Sequence, residues 1–135
     1  MPFAIRVRVT PQDLDELLHV SNVVYIRWIQ DAAVAHSVSV GLSLEEYRQR
    51  GAVFVVRRHE VDYLRPALLG DEVEVETRVV AVSQVTATRQ NFIRRLSDGH
   101  VLVQAQTQWA YISTTTGRPV RIPPEVVQRF TLEPL

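Results

Sequence analysis

From Phe3 to Thr10 the chain alternates, with Ile5, Val7 and Val9 on one side and Arg6 and Arg8 on the other. A period of two marks a half-buried strand. Thr10-Pro11-Gln12-Asp13 reads as a short capped turn with Pro in its first turn. From about Ser21 to Val38 the period becomes helical. Val23, Val24, Ile26, Trp28, Ile29 and Ala32 to Ala35 leave only a narrow polar stripe of Arg27, Gln30 and Asp31. That pattern predicts a helix buried on nearly all sides, with Arg27 and Asp31 as i,i+4 neighbours. Gly41 is a stop. Ser43-Leu44-Glu45-Glu46 is a capping box that opens a short helix to about Arg50.

After Gly51 the alternation returns. Ala52 to Arg65, Glu72 to Val82, Thr86 to Leu96 and Val101 to Ser113 are four consecutive strand candidates. They are punctuated by Pro66, Gly70-Asp71, Ser97-Asp98-Gly99-His100 and Thr116-Gly117. In the second of them Val73, Val75, Thr77 and Val79 share one face, and Glu72, Glu74, Glu76 and Arg78 the other. Pro123-Pro124-Glu125 opens a last short helix through Phe130. The expected fold class is α+β: an antiparallel sheet of about five strands around one long central helix. So small a sheet leaves open edges. Pairing them across a two-fold axis predicts a homodimer, or a dimer of dimers.

Composition sharpens the picture. The length of 135 residues predicts one domain over 1–135, and 46% hydrophobic residues suffice for a core. There is no cysteine, which removes disulfides and thiolate nucleophiles. There is no lysine either, so Schiff-base chemistry and a lysine-dependent phosphate loop are excluded. Fifteen arginines balance fifteen acids, without the basic excess usual in a nucleic-acid binder. No apolar run reaches membrane-spanning length, and the alternating N-terminus lacks a signal-peptide layout, so the expected location is the cytoplasm. No metal-ligand spacing and no Gly-x-Ser-x-Gly elbow is present, and no cofactor is expected.

The chemistry concentrates between Asp13 and Asn22, at the mouth of the long helix, where free N–H groups can polarise a carbonyl. Asp13-Leu-Asp15, His19-Val20-Ser21-Asn22 and Tyr25-Ile26-Arg27-Trp28 resemble the first motif of the 4-hydroxybenzoyl-CoA thioesterase-like, hotdog-fold thioesterases. Arg58 to Pro66 with Gly70-Asp71, and Thr116 to Pro123, are similar to later segments of that family. The likeness spans almost the whole chain. It implies a hotdog fold and an acyl-CoA thioesterase. Three positions depart from the family pattern: Leu18 stands where Gly is frequent, Leu17 where the plant enzymes place Asn, and Ser21 where the first Asn of the pair stands.

The resemblance implies that Asp15 is nucleophile or general base, with Asp13 a capping or orienting group. The plain alternative is that both merely cap a turn. His19 could polarise the thioester oxygen, orient water or hydrogen-bond Asp15, or be a turn histidine held by backbone. Asn22 offers its backbone N–H as an oxyanion donor, or is a plain helix N-cap. Tyr25, His59, Arg57 and Arg89 are candidate substrate contacts. His59 is placed on one strand face with Val55, Arg57 and Val61, where a structural histidine is the alternative. Arg57, Arg58, Arg89, Arg94 and Arg95 could meet coenzyme A phosphates or line a solvated strand face. His36 and His100 have no role in the sequence. An acyl thioester dehydratase or hydratase, or a non-catalytic acyl-CoA binding module, remains the other reading.

Overall fold

In a computed structural model, which describes residues 2–130, the alternating segments become five antiparallel strands. They are β1 (Phe3–Arg8), β2 (Ala52–Tyr63), β3 (Glu72–Val82), β4 (Thr86–Arg95) and β5 (Val101–Ser113). Their order across the sheet is β1-β3-β4-β5-β2, so β1 and the 12-residue β2 are the edges. Three helices accompany them: α1 (Asn22–Ser39), α2 (Leu44–Arg50) and α3 (Pro124–Arg129). None of the described helices is long and apolar enough to cross a membrane. The α+β architecture, with one long helix on an antiparallel sheet, is the one the pattern predicted.

The inward row of β3 is as read: Val73, Val75 and Thr77 are 0% exposed and Val79 3%. Their register partners Ile93, Asn91 and Arg89 on β4, and Val103, Ala105 and Thr107 on β5, continue the rows across the sheet. Helix α1 lies on this face. Val24, Tyr25, Trp28, Ile29 and Ala32 meet Val73, Val75, Ile93, Val103 and Ala105 in the main core. A second core lies under α2 and α3, around Leu42, Tyr47, Ala52, Tyr111, Ile122 and Val126. Ser43 caps α2, its hydroxyl accepting from Glu46 N–H at 3.1 Å.

The helix is not buried nearly all round. Val23, Val34 and Val38 are 73%, 57% and 54% exposed, on the same face as Arg27 and Asp31. A sheet covers only one side of a helix, so the opposite valines stay open in the protomer. Nor does Arg27 pair with Asp31. Its Nη2 reaches back to Asp13 Oδ1 at 3.2 Å, a buried carboxylate and thus the stronger attraction.

Candidate functional site

The loop before α1 is built by backbone bonds. Thr10 N–H and Oγ1–H donate to Asp13 Oδ2 at 2.9 and 3.0 Å, and Ser21 N–H donates to the Asp13 carbonyl at 2.9 Å. Asp13 is 7% exposed, and its carboxylate caps the Thr10 turn. Leu14 and Val20 form an antiparallel bridge that closes a tight loop over residues 15 to 19. Within it Asp15 N–H donates to the His19 carbonyl (2.8 Å) and Leu18 N–H to the Asp15 carbonyl (3.0 Å). The loop docks on the chain after β2 through a His19–Leu68 bridge and through Val20 N–H to the Ala67 carbonyl at 3.1 Å.

Asp15 is exposed at the base of this loop, opposite His19. Its Oδ1 accepts from Leu17 N–H at 2.8 Å and from His19 N–H at 3.4 Å, while Oδ2 makes no hydrogen bond with a described residue. One oxygen is pinned and the other is presented outward. Asp15 and His19 are therefore joined through main chain, not through the imidazole.

Leu18 sits at φ +61°, the single non-glycine residue among those described with positive φ. The left-handed position closing a three-residue loop favours glycine, and the backbone keeps that geometry with leucine in place. An L-residue there costs about 1–2 kcal/mol, and glycine gives back part of that through its freer unfolded chain. Leu18 is 70% exposed, so little burial is at stake. Leu18→Gly should therefore leave stability unchanged or raise it by up to about 1 kcal/mol in urea unfolding, whereas Leu18→Val should lower it.

Helix α1 begins at Asn22, with Ser21 at the N-cap, one residue earlier than an Asn22 cap would place it. Val24 N–H makes the first turn's bond, to the Ser21 carbonyl at 2.9 Å. The N–H groups of Asn22 and Val23 precede it and have no intrahelical acceptor. Tyr63, at the end of β2, donates its hydroxyl to the Asn22 carbonyl at 3.4 Å and lies 5.7 Å from the Tyr25 ring. Tyr25 is 3% exposed, and its hydroxyl accepts from Ala67 N–H at 2.8 Å. It supports the docked loop from beneath, and burial raises its pKa.

The remaining candidates lie elsewhere. A bulge between Val56 and Arg58 shifts the alternation of β2 by one residue. Val55 is thus 42% exposed on the far side, Arg57 is exposed at the bulge, and His59 keeps only Val61 of its expected companions. His59 Nδ1 lies 2.9 Å from Thr107 Oγ1, and its Nε2 lies 3.4 Å from the Gln30 side-chain amide on α1. Asn91 Nδ2 donates to the same Thr107 oxygen at 3.1 Å. Burial lowers the His59 pKa.

The sign of that shift gives a stability prediction. On acidification the unfolded chain takes the proton first, so His59 supports the fold fully above about pH 6.5. That support is lost as pH falls through its lower folded value. His59→Gln should flatten the acid limb of Tm against pH below about 6.5, read by thermal unfolding across roughly pH 5 to 8.

Arg89 is not at the surface where a polyphosphate would meet it. It is 6% exposed beneath the C-terminal half of α1. Arg94 pairs with the buried Glu76, and Arg95 with Asp71 and Asp98, so both serve the sheet. Arg58 faces Glu60 at 4.0 Å. His36 has partners after all: Arg89 Nη1 at 2.9 Å and the rings of Phe3 and Phe130. His100 lies 3.2 Å from Asp98 in the hairpin. Among the described residues no three His, Asp or Glu side chains converge as metal ligands.

One end of the molecule thus gathers Asp15, His19, Asn22 and Tyr63 around a helix N-terminus. The family model of the thioesterase-like superfamily matches residues 9–130. The chain belongs to the thioesterase-like superfamily. It is 25% identical over 126 residues to a chloroplastic acyl-acyl carrier protein thioesterase of Arabidopsis thaliana, covering 93% of this chain and 66% of that protein. A putative oleoyl thioesterase solved from Lactobacillus plantarum superposes with a TM-score of 0.93 over 100% of this chain and 52% of its own, at 26% identity. A thioesterase from Thermus thermophilus, solved with coenzyme A and zinc, is 30% identical with a TM-score of 0.82, over 95% of this chain and 90% of its own. The chain spans about two thirds of the Arabidopsis thioesterase and 26–33% of other plant thioesterases it matches.

Proposed function

We propose that this thioesterase-like protein hydrolyses an acyl-CoA thioester to the free acid and coenzyme A. The observation that carries the reading is the Asp15 carboxylate, pinned through one oxygen and open through the other, on the loop whose Val20 bridge leads into α1. The thioester carbonyl oxygen would sit at the N–H groups of Asn22 and Val23, which the helix dipole makes better donors to a developing oxyanion. Asp15 then acts in one of two balanced ways. Its free oxygen attacks the carbonyl carbon, expels the thiolate and leaves an acyl anhydride that water cleaves. Alternatively, it takes a proton from a water whose oxygen attacks the carbonyl carbon; the tetrahedral intermediate expels the thiolate, which receives that proton. His19, on the same loop, would orient that water or polarise the carbonyl.

Coenzyme A is the proposed carrier because the chain has no net basic charge for an acidic carrier protein. The exposed Arg57 is the candidate for its phosphates. The plant relatives are thioesterases of acyl-acyl carrier proteins, which makes acyl carrier protein the second candidate carrier. The open edge of β2, with exposed Val55, and the exposed valines of α1 support a homodimer that would cover them.

The test is thiol release from aromatic, short-chain and long-chain acyl groups, each on CoA and on acyl carrier protein. Turnover of at least one CoA ester is expected. Binding of CoA esters without release from any of them would reject hydrolysis and favour a dehydratase or a non-catalytic binding module.

A further inference from the structure

The second core is not filled. Between the C-terminal half of α1 and the sheet, under α2 and α3, lies a cavity of about 130 Å³. Leu42, Phe54, Val79, Ile122, Val126 and Phe130 form much of its wall. That volume is close to an engineered cavity of about 150 Å³ that takes up benzene. Ala33 and Ser37 of α1 border it, 11 and 15 residues beyond Asn22. At about 1.5 Å per residue it lies about 17–22 Å along the helix from the Asp15 end.

Two side chains on this wall carry N–H groups with no acceptor among the described residues. Arg89 is 6% exposed. Its Nη1 donates to His36 Nδ1 at 2.9 Å and to Thr77 Oγ1 at 3.2 Å, and its guanidinium carbon lies 5.4 Å from the Phe130 ring centre. Its Nε and Nη2 make no hydrogen bond with a described residue, and no described carboxylate lies within ion-pair distance. The buried indole N–H of Trp109, another lining residue, also has no acceptor among the described residues. The hydroxyls of Ser37 and Tyr47 satisfy each other at 3.3 Å. Burial draws the Arg89 pKa down to about 10, which leaves it charged at neutral pH. A desolvated cation without a counter-charge is costly, and a fork of free N–H groups fits a carboxylate.

We propose that this cavity is a second binding site, separate from the Asp15 loop, for a free carboxylic acid with a benzene-sized apolar body. The body fills the apolar space and the carboxylate pairs with the free edge of Arg89. A phosphate monoester fits less well, because its second charge would have to be desolvated in the same small space. The site needs no turnover to be observed.

The test titrates the whole protein with 3-phenylpropanoate and with its neutral match, 3-phenylpropan-1-ol, by calorimetry at about pH 7. The acid should bind at least about tenfold more tightly than the alcohol, and it should raise Tm. Arg89→Met should weaken the acid by about ten- to a hundredfold and leave the alcohol within about threefold. Ala87→Leu, which keeps Arg89 but fills the lining, should lose both ligands and so tests the site even if Arg89→Met fails to fold. Equal binding of acid and alcohol, no binding of the acid, or unchanged binding by Ala87→Leu would overturn the proposal.

Discussion

Asp15→Asn should lower kcat/KM for thioester hydrolysis by about 10³-fold and leave unfolding in urea unchanged. The two halves of that result come from the two oxygens. Oδ1 holds the loop by accepting from Leu17 and His19 N–H groups, and an asparagine carbonyl can accept both bonds. The open oxygen shares the carboxylate's charge, and an amide neither attacks a thioester nor takes a proton from water at neutral pH. Loss of a positioned general base costs about 10²–10⁴-fold, and loss of a nucleophile removes the covalent route altogether. Single turnover in ¹⁸O water probes the covalent route: label in Asp15 marks an anhydride that water opened at the Asp15 carbonyl. A variant that keeps more than about a tenth of the parent's activity would remove Asp15 from the chemistry. A parallel collapse of stability would make it a structural pin like Asp13, whose carboxylate is spent on Thr10 and Arg27.

What the sequence made legible follows from how local each signal is. The strands were readable because inward rows such as Val73, Val75, Thr77 and Val79 repeat on a period of two over most of a strand. The helix was readable from its change of period, and the Asp15 loop from one short motif. Features that depend on a distant partner were not. The bulge at Arg57 is set by the pairing of β2 with β5, and one extra residue there moved Val55 off the face of His59. Arg89 looked like any other strand arginine. Its burial comes from His36 of α1, Thr77 and Phe130, which lie 53, 12 and 41 residues away along the chain. Thr77, Asn91 and Thr107 stood in apolar rows as minor exceptions. Together they form the polar belt that holds His59 and Arg89: Thr77 is in register with Asn91, and Thr107 with Arg89 and His59. Leu18 shows the converse. A residue that breaks the family's glycine pattern left the loop's backbone as glycine would shape it, because the Leu14–Val20 bridge fixes both of its ends.

The oxyanion role can be tested at a single backbone atom, because α1 starts in a way that tolerates proline. Asn22 is the first helical residue, and its N–H has no intrahelical bond to lose. Ser21, at φ −64° and ψ 143°, is already in the extended conformation that the residue before proline requires. Asn22→Pro therefore deletes one N–H and leaves the helix, the Ser21–Val24 bond and the carbonyl that Tyr63 contacts in place. Its expected effect on kcat is a loss of about 10²–10³-fold, the size typical of one missing oxyanion donor, with the far-ultraviolet spectrum and Tm close to the parent. Asn22→Ala is the necessary counterpart, since it removes the side chain and keeps the N–H. It should cost less than about tenfold, because Ser21 and not Asn22 occupies the cap. If alanine and proline are equally damaging, the amide side chain is the working group and the carbonyl sits elsewhere. If proline alone is damaging, the positive end of α1 is where the thioester oxygen gathers charge, and Asp15, on the loop that the Val20 bridge closes, is the carboxylate that works with it.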